Sequence, residues 1–170
     1  GMRELALLAR RENIVLLAGH TNATYENMVE GIQCGILHAT HMFNAMSPLH
    51  HRNPGAVGAV LIEQNMDCEI ICDGVHVHPE LVKLLLREKP VSHVVMVTDA
   101  LKPTKQTNGK LEANGMEAAM SPQGAWVSAK NPDLLLGSAL TLLKALKNVV
   151  SWGVSMQDAV QMTSTNPARI

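Results

Sequence analysis

His20, His41, His76 and Asp99 stand 21, 35 and 23 residues apart, and each follows a short apolar run. Neutral imidazoles held by rigid elements are good ligands for a divalent metal, and an aspartate facing that metal can take a proton from water. A single histidine in a mixed sequence is more often structural or exposed. Spacing alone therefore leaves both a metal site and a structural role open.

The runs that would position these residues are Ile14–Ala18, Ile36–Ala39, Glu69–Cys72 and Val94–Val97. Short Val/Ile-rich runs suit strands buried on both faces. Helical patterns lie between them. Thr24 can cap a helix carrying Met28, Val29 and Ile32 and closed by Gly35, and Pro79 suits the first turn of a helix bearing Leu81, Val82, Leu85 and Leu86. The Gly/Pro-rich connection from Asn44 to Asp67 reads as a long loop followed by a short helix or irregular crossover. Strand–helix alternation implies parallel pairing with right-handed crossovers, and in such sheets the carboxyl ends of the strands carry the sites.

Residues 104–133 change character. Gly109, Gly115 and Gly124 punctuate Lys110–Ala113, Met116–Met120 and Ala125–Ser128, which predicts a small antiparallel β-hairpin or three-strand excursion. Ser138 is then expected to cap a helix over Ala139–Trp152. Ser155 to Asp158 resembles a capping box for a last helix that stops before Asn166-Pro167. The expectation is one α/β domain over residues 1–170.

Composition narrows the function. With 170 residues, 46% hydrophobic content and a formal net charge of −1, the chain can bury one core and shows no basic tract for nucleic acid or an anionic membrane. No stretch reaches the roughly 18 unbroken apolar residues of a membrane span, and no leader-like segment opens the chain. Gly1 before Met2 reads as the remnant of a cleaved tag. Cys34, Cys68 and Cys72 form no CxxC pair and are expected as reduced thiols of a cytoplasmic protein. Aromatics make up only 2%, against ten Met, so Met42, Met46, Met96 and Met162 are read as core filler.

Together, Gly19-His20-Thr21-Asn22-Ala23, Ala39-Thr40-His41-Met42-Phe43-Asn44-Ala45-Met46, Asp73-Gly74-Val75-His76-Val77-His78-Pro79 and Val97-Thr98-Asp99-Ala100 closely resemble the N-acetylglucosamine-6-phosphate deacetylases of the amidohydrolase superfamily. Leu49 to Gly55, Leu136 to Thr141 and Thr163 to Ala168 agree in the same order. The resemblance implies His20 and His41 as ligands of a divalent metal, zinc or iron, and Asp99 as the acid/base that activates water and protonates the leaving amine. It implies substrate contacts at Asn44, Ala45, Arg52, Asp73, His76, Leu135, Leu136 and Gly137, with Arg52 on the sugar phosphate and supplied across a dimer interface. Leu136 departs from the family's small residue, which would narrow the pocket rim. His50, His51, His78 and His93 are left as surface or supporting residues.

A complete (β/α)8 barrel takes about 250 residues. The resemblance therefore implies a half barrel of four parallel strands with helices, the excursion and C-terminal helices, lacking the family's upstream glutamate ligand. The expected partners are N-acetylglucosamine 6-phosphate and either a second copy, giving a homodimer, or a complement to the missing N-terminal half. Two readings follow: an enzyme whose site is incomplete in this chain, or a non-catalytic fragment or sugar-phosphate-binding module. Metal content separates them.

Overall fold

The computed structural model describes residues 1–102, 104–105, 111–113 and 115–170. Four strands, β1 (Leu17–Ala18), β2 (His38–Ala39), β3 (Asp67–Ile71) and β4 (Val94–Val97), form one sheet in sequence order, all parallel. The half-barrel expectation holds. Helices α2 (Tyr25–Gln33), α3 (Gly55–Ile62) and α4 (Pro79–Glu88) make the crossovers, and α1 (Met2–Arg11) precedes β1.

Local chemistry sets the helix boundaries. Thr24 and Asn27 exchange side-chain-to-backbone hydrogen bonds at the start of α2, and Pro79 opens α4, where a missing amide costs nothing. Residues 55–60 of α3 are buried all round, as an Ala/Val/Gly helix wedged beneath the sheet must be. Ser47 fixes its entry by accepting from the Ala56 amide at 2.7 Å and donating to the Ala23 carbonyl at 2.5 Å.

Register and alternation divide the parallel sheet into two faces. Ala39, Cys68, Ile70, Val94 and Met96 face the helices and are at most 2% exposed. Burial pushes the thiols of Cys68 and Cys72 up to about 12, so both stay protonated and inert. The opposite face bears His38, Thr40, Asp67 and Glu69 beside Leu17, Ile71, Val95 and Val97 and is therefore mixed in character. Exposed apolar side chains also gather on α1, before β1 and at its first residue, at Leu5, Leu7, Leu8, Ile14, Val15 and Leu17.

The excursion differs from its expected form. It is a four-stranded antiparallel sheet of β5 (Glu112–Ala113), β6 (Met116–Met120), β7 (Ala125–Ser128) and β8 (Leu135–Ser138). It extends past residue 133 because β8 pairs with β7; Gly109 and Lys110 lie outside the described residues. Ser138 is thus a strand residue, and Thr141 caps α5 (Leu142–Ser151) by accepting from the Lys144 amide. Ser155 caps α6 (Met156–Val160) as expected, but the helical path does not stop before Asn166-Pro167. It runs through a π-helical stretch, Gln161–Thr165, into α7 (Asn166–Arg169). Pro167 is tolerated in the first turn of α7, and the Asn166 amide donates to the carbonyls of Val91 and Val94, tying the last helix to β4.

Candidate active site

The loops that leave the parallel strands are held in unusual backbone conformations. Seven described non-glycine residues have positive φ, and five of them are His20 (42°), His41 (26°), Phe43 (76°), Ala45 (50°) and Asp99 (46°). Such residues cost of order 1–3 kcal/mol each and persist where the surroundings over-determine them, most often at functional sites. Here they follow β1, β2 and β4 directly. Thr21 donates to the Ala45 carbonyl at 2.9 Å and Ser47 to the Thr21 carbonyl at 3.0 Å, lacing the first two loops together.

The turns bring His20 and His41 edge to face, with ring centroids 4.7 Å apart and planes at 73°. His41 is 8% exposed, and its buried Nδ1 has no hydrogen-bond partner among the described residues. An orphaned imidazole nitrogen beside a second, exposed imidazole is a donor set that suits one cation shared between the rings. No group of three or more His, Cys, Asp or Glu able to hold a metal occurs among the described residues. The fit thus extends to two imidazole ligands.

Asp73 and His76 form a closed unit after β3. One carboxylate oxygen of Asp73 accepts from the amides of Val75 and His76, each at 2.8 Å, and the other lies 2.6 Å from His76 Nδ1. Burial would raise the Asp73 carboxyl, but the hydrogen bonds from His76 and the two amides outweigh it and hold it below its ordinary value. An ionised carboxylate can only accept, so His76 carries its proton on Nδ1 and keeps Nε2 for another partner. Both Asp73 oxygens are engaged within this turn, where they orient His76.

Asp99 is exposed after β4, and β8 holds its loop in place. Buried Ser138 donates through its amide to the Asp99 carbonyl at 3.0 Å and through its hydroxyl to the Thr98 carbonyl, while its own carbonyl accepts from Leu101 at 3.0 Å.

The other expected contacts lie around this rim. The Asn44 side-chain amide donates to the carbonyls of His41 and Met42, bracing the strained turn. Ala45 lines a shallow cavity of about 320 Å³ with His20, Thr21, Asn22 and Met46. Arg52 is exposed, its guanidinium 2.7 Å from His51 Nε2. In β8, Leu135 is exposed, Gly137 lies beneath Leu101, and Leu136 packs against the small core of the second sheet, which absorbs its bulk. A larger concavity of about 670 Å³ lies at the opposite end of the sheet, among Ile14, Leu37, His38 and Asp67, away from the strained loops.

Sequence reasoning missed His38 and Glu69. His38 is 3% exposed, with no hydrogen-bond partner for either ring nitrogen among the described residues, and its Nε2 lies 3.5 Å from Glu69 Oε1. Burial would raise the Glu69 carboxyl, but nearby His38 and the hydrogen bonds from the Thr40 hydroxyl and the His41 amide outweigh it and hold it below its ordinary value. The 3.5 Å separation is long for a hydrogen bond, so Thr40 is the firmer partner. The available signal was a carboxylate inside an apolar strand, two positions before its end.

Parallel strands with one helix-covered face and ionisable residues at their carboxyl ends define a segment of a (β/α) barrel of the enzyme type. The chain belongs to the amidohydrolase family, whose model matches residues 1–170 and whose members are generally metal-dependent. It is 32% identical over 157 residues to an N-acetylglucosamine-6-phosphate deacetylase of Lysinibacillus sphaericus, covering 92% of this chain and 40% of that protein. It is 34% identical over 162 residues to an N-acetylgalactosamine-6-phosphate deacetylase of a Shewanella strain, covering 91% and 39%. The crystal structure of an N-acetylglucosamine-6-phosphate deacetylase from Thermotoga maritima superposes with a TM-score of 0.88 at 32% identity, over 98% of this chain and 45% of that one. The chain spans about 40% of the length of these curated relatives.

Proposed function

We propose that the chain carries the metal-binding and acid–base part of a deacetylase that converts N-acetylglucosamine 6-phosphate to glucosamine 6-phosphate and acetate. The observation that carries this reading is the His20–His41 ring pair, 4.7 Å apart on two strained strand ends. A divalent cation, zinc or iron, held by these imidazoles would polarise the amide carbonyl and lower the pKa of water. Asp99 takes the proton of the attacking water and passes it to the amine nitrogen as the C–N bond breaks. His76, oriented by Asp73, meets the substrate near its reacting centre. Arg52 binds the sugar phosphate through its guanidinium fork, and Asn44, Ala45 and the Leu135–Gly137 segment line the substrate.

Both epimeric hexosamine phosphates occur in the names of relatives at similar identity, so the 4-hydroxyl configuration is set by side chains that these motifs do not specify. The work is cytoplasmic. The β1 edge, unpaired among the described residues, and the mixed inner face are covered by a second copy or by a polypeptide supplying the other barrel strands. A mass near 18.4 kDa by light scattering, unchanged on dilution, would exclude the second copy.

Calorimetric titration with zinc, paired with an acetate-release assay on both hexosamine phosphates, tests the reading. The expected result is one weak zinc site per chain, lost in His20→Ala and in His41→Ala. No acetate is expected from the chain alone, because two imidazoles are one short of the three protein ligands of a catalytic zinc. Zinc binding that survives both substitutions would overturn the site. Turnover by the chain alone, abolished in Asp99→Asn, would overturn its incompleteness.

A further inference from the structure

Glu69 is the one charged residue inside the apolar stretch Cys68–Cys72, and a half-buried carboxylate must find donors. Those donors come from the segment that carries His41. Thr40 Oγ1 donates to Glu69 Oε2 at 2.6 Å, the His41 amide donates to the same oxygen at 3.4 Å, and the Met42 amide donates to the Glu69 carbonyl at 2.8 Å. Three consecutive residues of the His41 loop are thus fastened to one residue of β3.

Thr40 also touches the segment that leads to the other imidazole. Its amide donates to the Ala18 carbonyl at 2.9 Å, and its methyl lies so close to Gly19 that a Cβ there would come within 1.9 Å of Thr40 Cγ2. Gly19 immediately precedes His20, and Thr40 immediately precedes His41. Both histidines hold positive φ, a state that persists only under outside support.

We infer that Glu69 and Thr40 are positioning residues for the metal pair: a charge-assisted strut from β3 that fixes the backbone beneath His41 and, through the Thr40–Gly19 contact, beneath His20. This rests on the metal role proposed for that pair. A carboxylate on a hydroxyl and an amide makes stronger bonds than a neutral acceptor would. Loss of such supporting partners typically weakens metal affinity 10–100-fold.

Cobalt(II) titration of the chain, followed by its visible d–d absorption, tests the strut. Glu69→Ala and the milder Thr40→Val should each weaken cobalt binding by about 10–100-fold and alter the band shape. Glu69→Gln keeps an acceptor oxygen in place but not the charge and should recover part of the loss. Val82→Ala, a core truncation in α4, should lower Tm and leave the cobalt affinity and spectrum unchanged. Wild-type affinity and spectrum in both Glu69→Ala and Thr40→Val would overturn the inference, as would a loss in Val82→Ala equal to theirs. Cobalt binding by the unaltered chain that survives loss of both His20 and His41 is a different failure: it removes the metal pair, and the strut with it.

Discussion

The parallel sheet and the antiparallel sheet each have four strands, and they treat backbone strain in opposite ways. In the antiparallel sheet, positive φ falls on glycines, at Gly115, Gly124 and Gly137, where the turn costs little. After β1, β2 and β4 it falls on His20, His41 and Asp99, which keep their side chains and bear the strain, while after β3 it falls on Gly74. Glycine would relieve that strain at each of the three positions, so the side chains themselves are what those turns retain. The cores differ too. One face of the parallel sheet is sealed beneath α2 to α5, whereas the antiparallel sheet closes over Ala113, Ala118 and Trp126 with a few partly buried neighbours.

If the two cores are separate, damage to one should stay local. Trp126→Ala should cost about 3–5 kcal/mol and abolish amide-exchange protection in β6 to β8 while β3 and β4 keep theirs. Ile70→Ala, a cut of about 2–5 kcal/mol at a fully buried position of β3, should lower protection in both sheets. Equal collapse of both sheets in Trp126→Ala would break the comparison.

The two sheets meet at Ser138, and the next effect is smaller. Ser138→Ala leaves the Thr98 carbonyl and the Leu140 amide without their hydroxyl partner in a buried setting, a loss of about 1–3 kcal/mol. Faster exchange at Leu101, with β3 unchanged, would show that β8 steadies the Asp99 loop. Unchanged exchange there would show that the loop holds itself.

The smallest effect comes at the far end of the parallel sheet. Burial would raise the Asp67 carboxyl, but hydrogen bonds from Arg169 and His93 outweigh it and hold it below its ordinary value of 3.8. A lowered carboxylate pKa contributes stability that is complete above pH 3.8 and is lost as pH falls through the lowered value. Arg169 is 48% exposed, so solvent screens the pair and the contribution is small. In urea unfolding, Asp67→Asn should be less stable than the unaltered chain at pH 7, and the gap should close below pH 3.8. A gap that persists there would remove the carboxylate from the account.

The order and parallel pairing of β1 to β4 were legible because buried parallel strands write themselves as continuous apolar runs. Their lengths were not. Ile14 spends its amide on the Ala9 carbonyl at the end of α1, so β1 keeps only Leu17 and Ala18. β8 was invisible because Leu135-Leu136-Gly137-Ser138 reads equally as the entry to a helix, and pairing with β7 decides between them. At the candidate site, the placement of His20, His41, His76 and Asp99 after the four parallel strands was legible. That of Glu69 and His38 was not: a carboxylate inside an apolar run marks Glu69 alone, and the pair meets only when two strands are placed side by side.

The central claim is that His20 and His41 jointly bind one cation, and X-ray absorption of the zinc-loaded chain addresses it directly. The account predicts a first shell of nitrogen and oxygen atoms with the outer-shell scattering of two imidazoles, reduced to one in His41→Ala. A sulfur shell at about 2.3 Å, or an imidazole count untouched by that substitution, would contradict it.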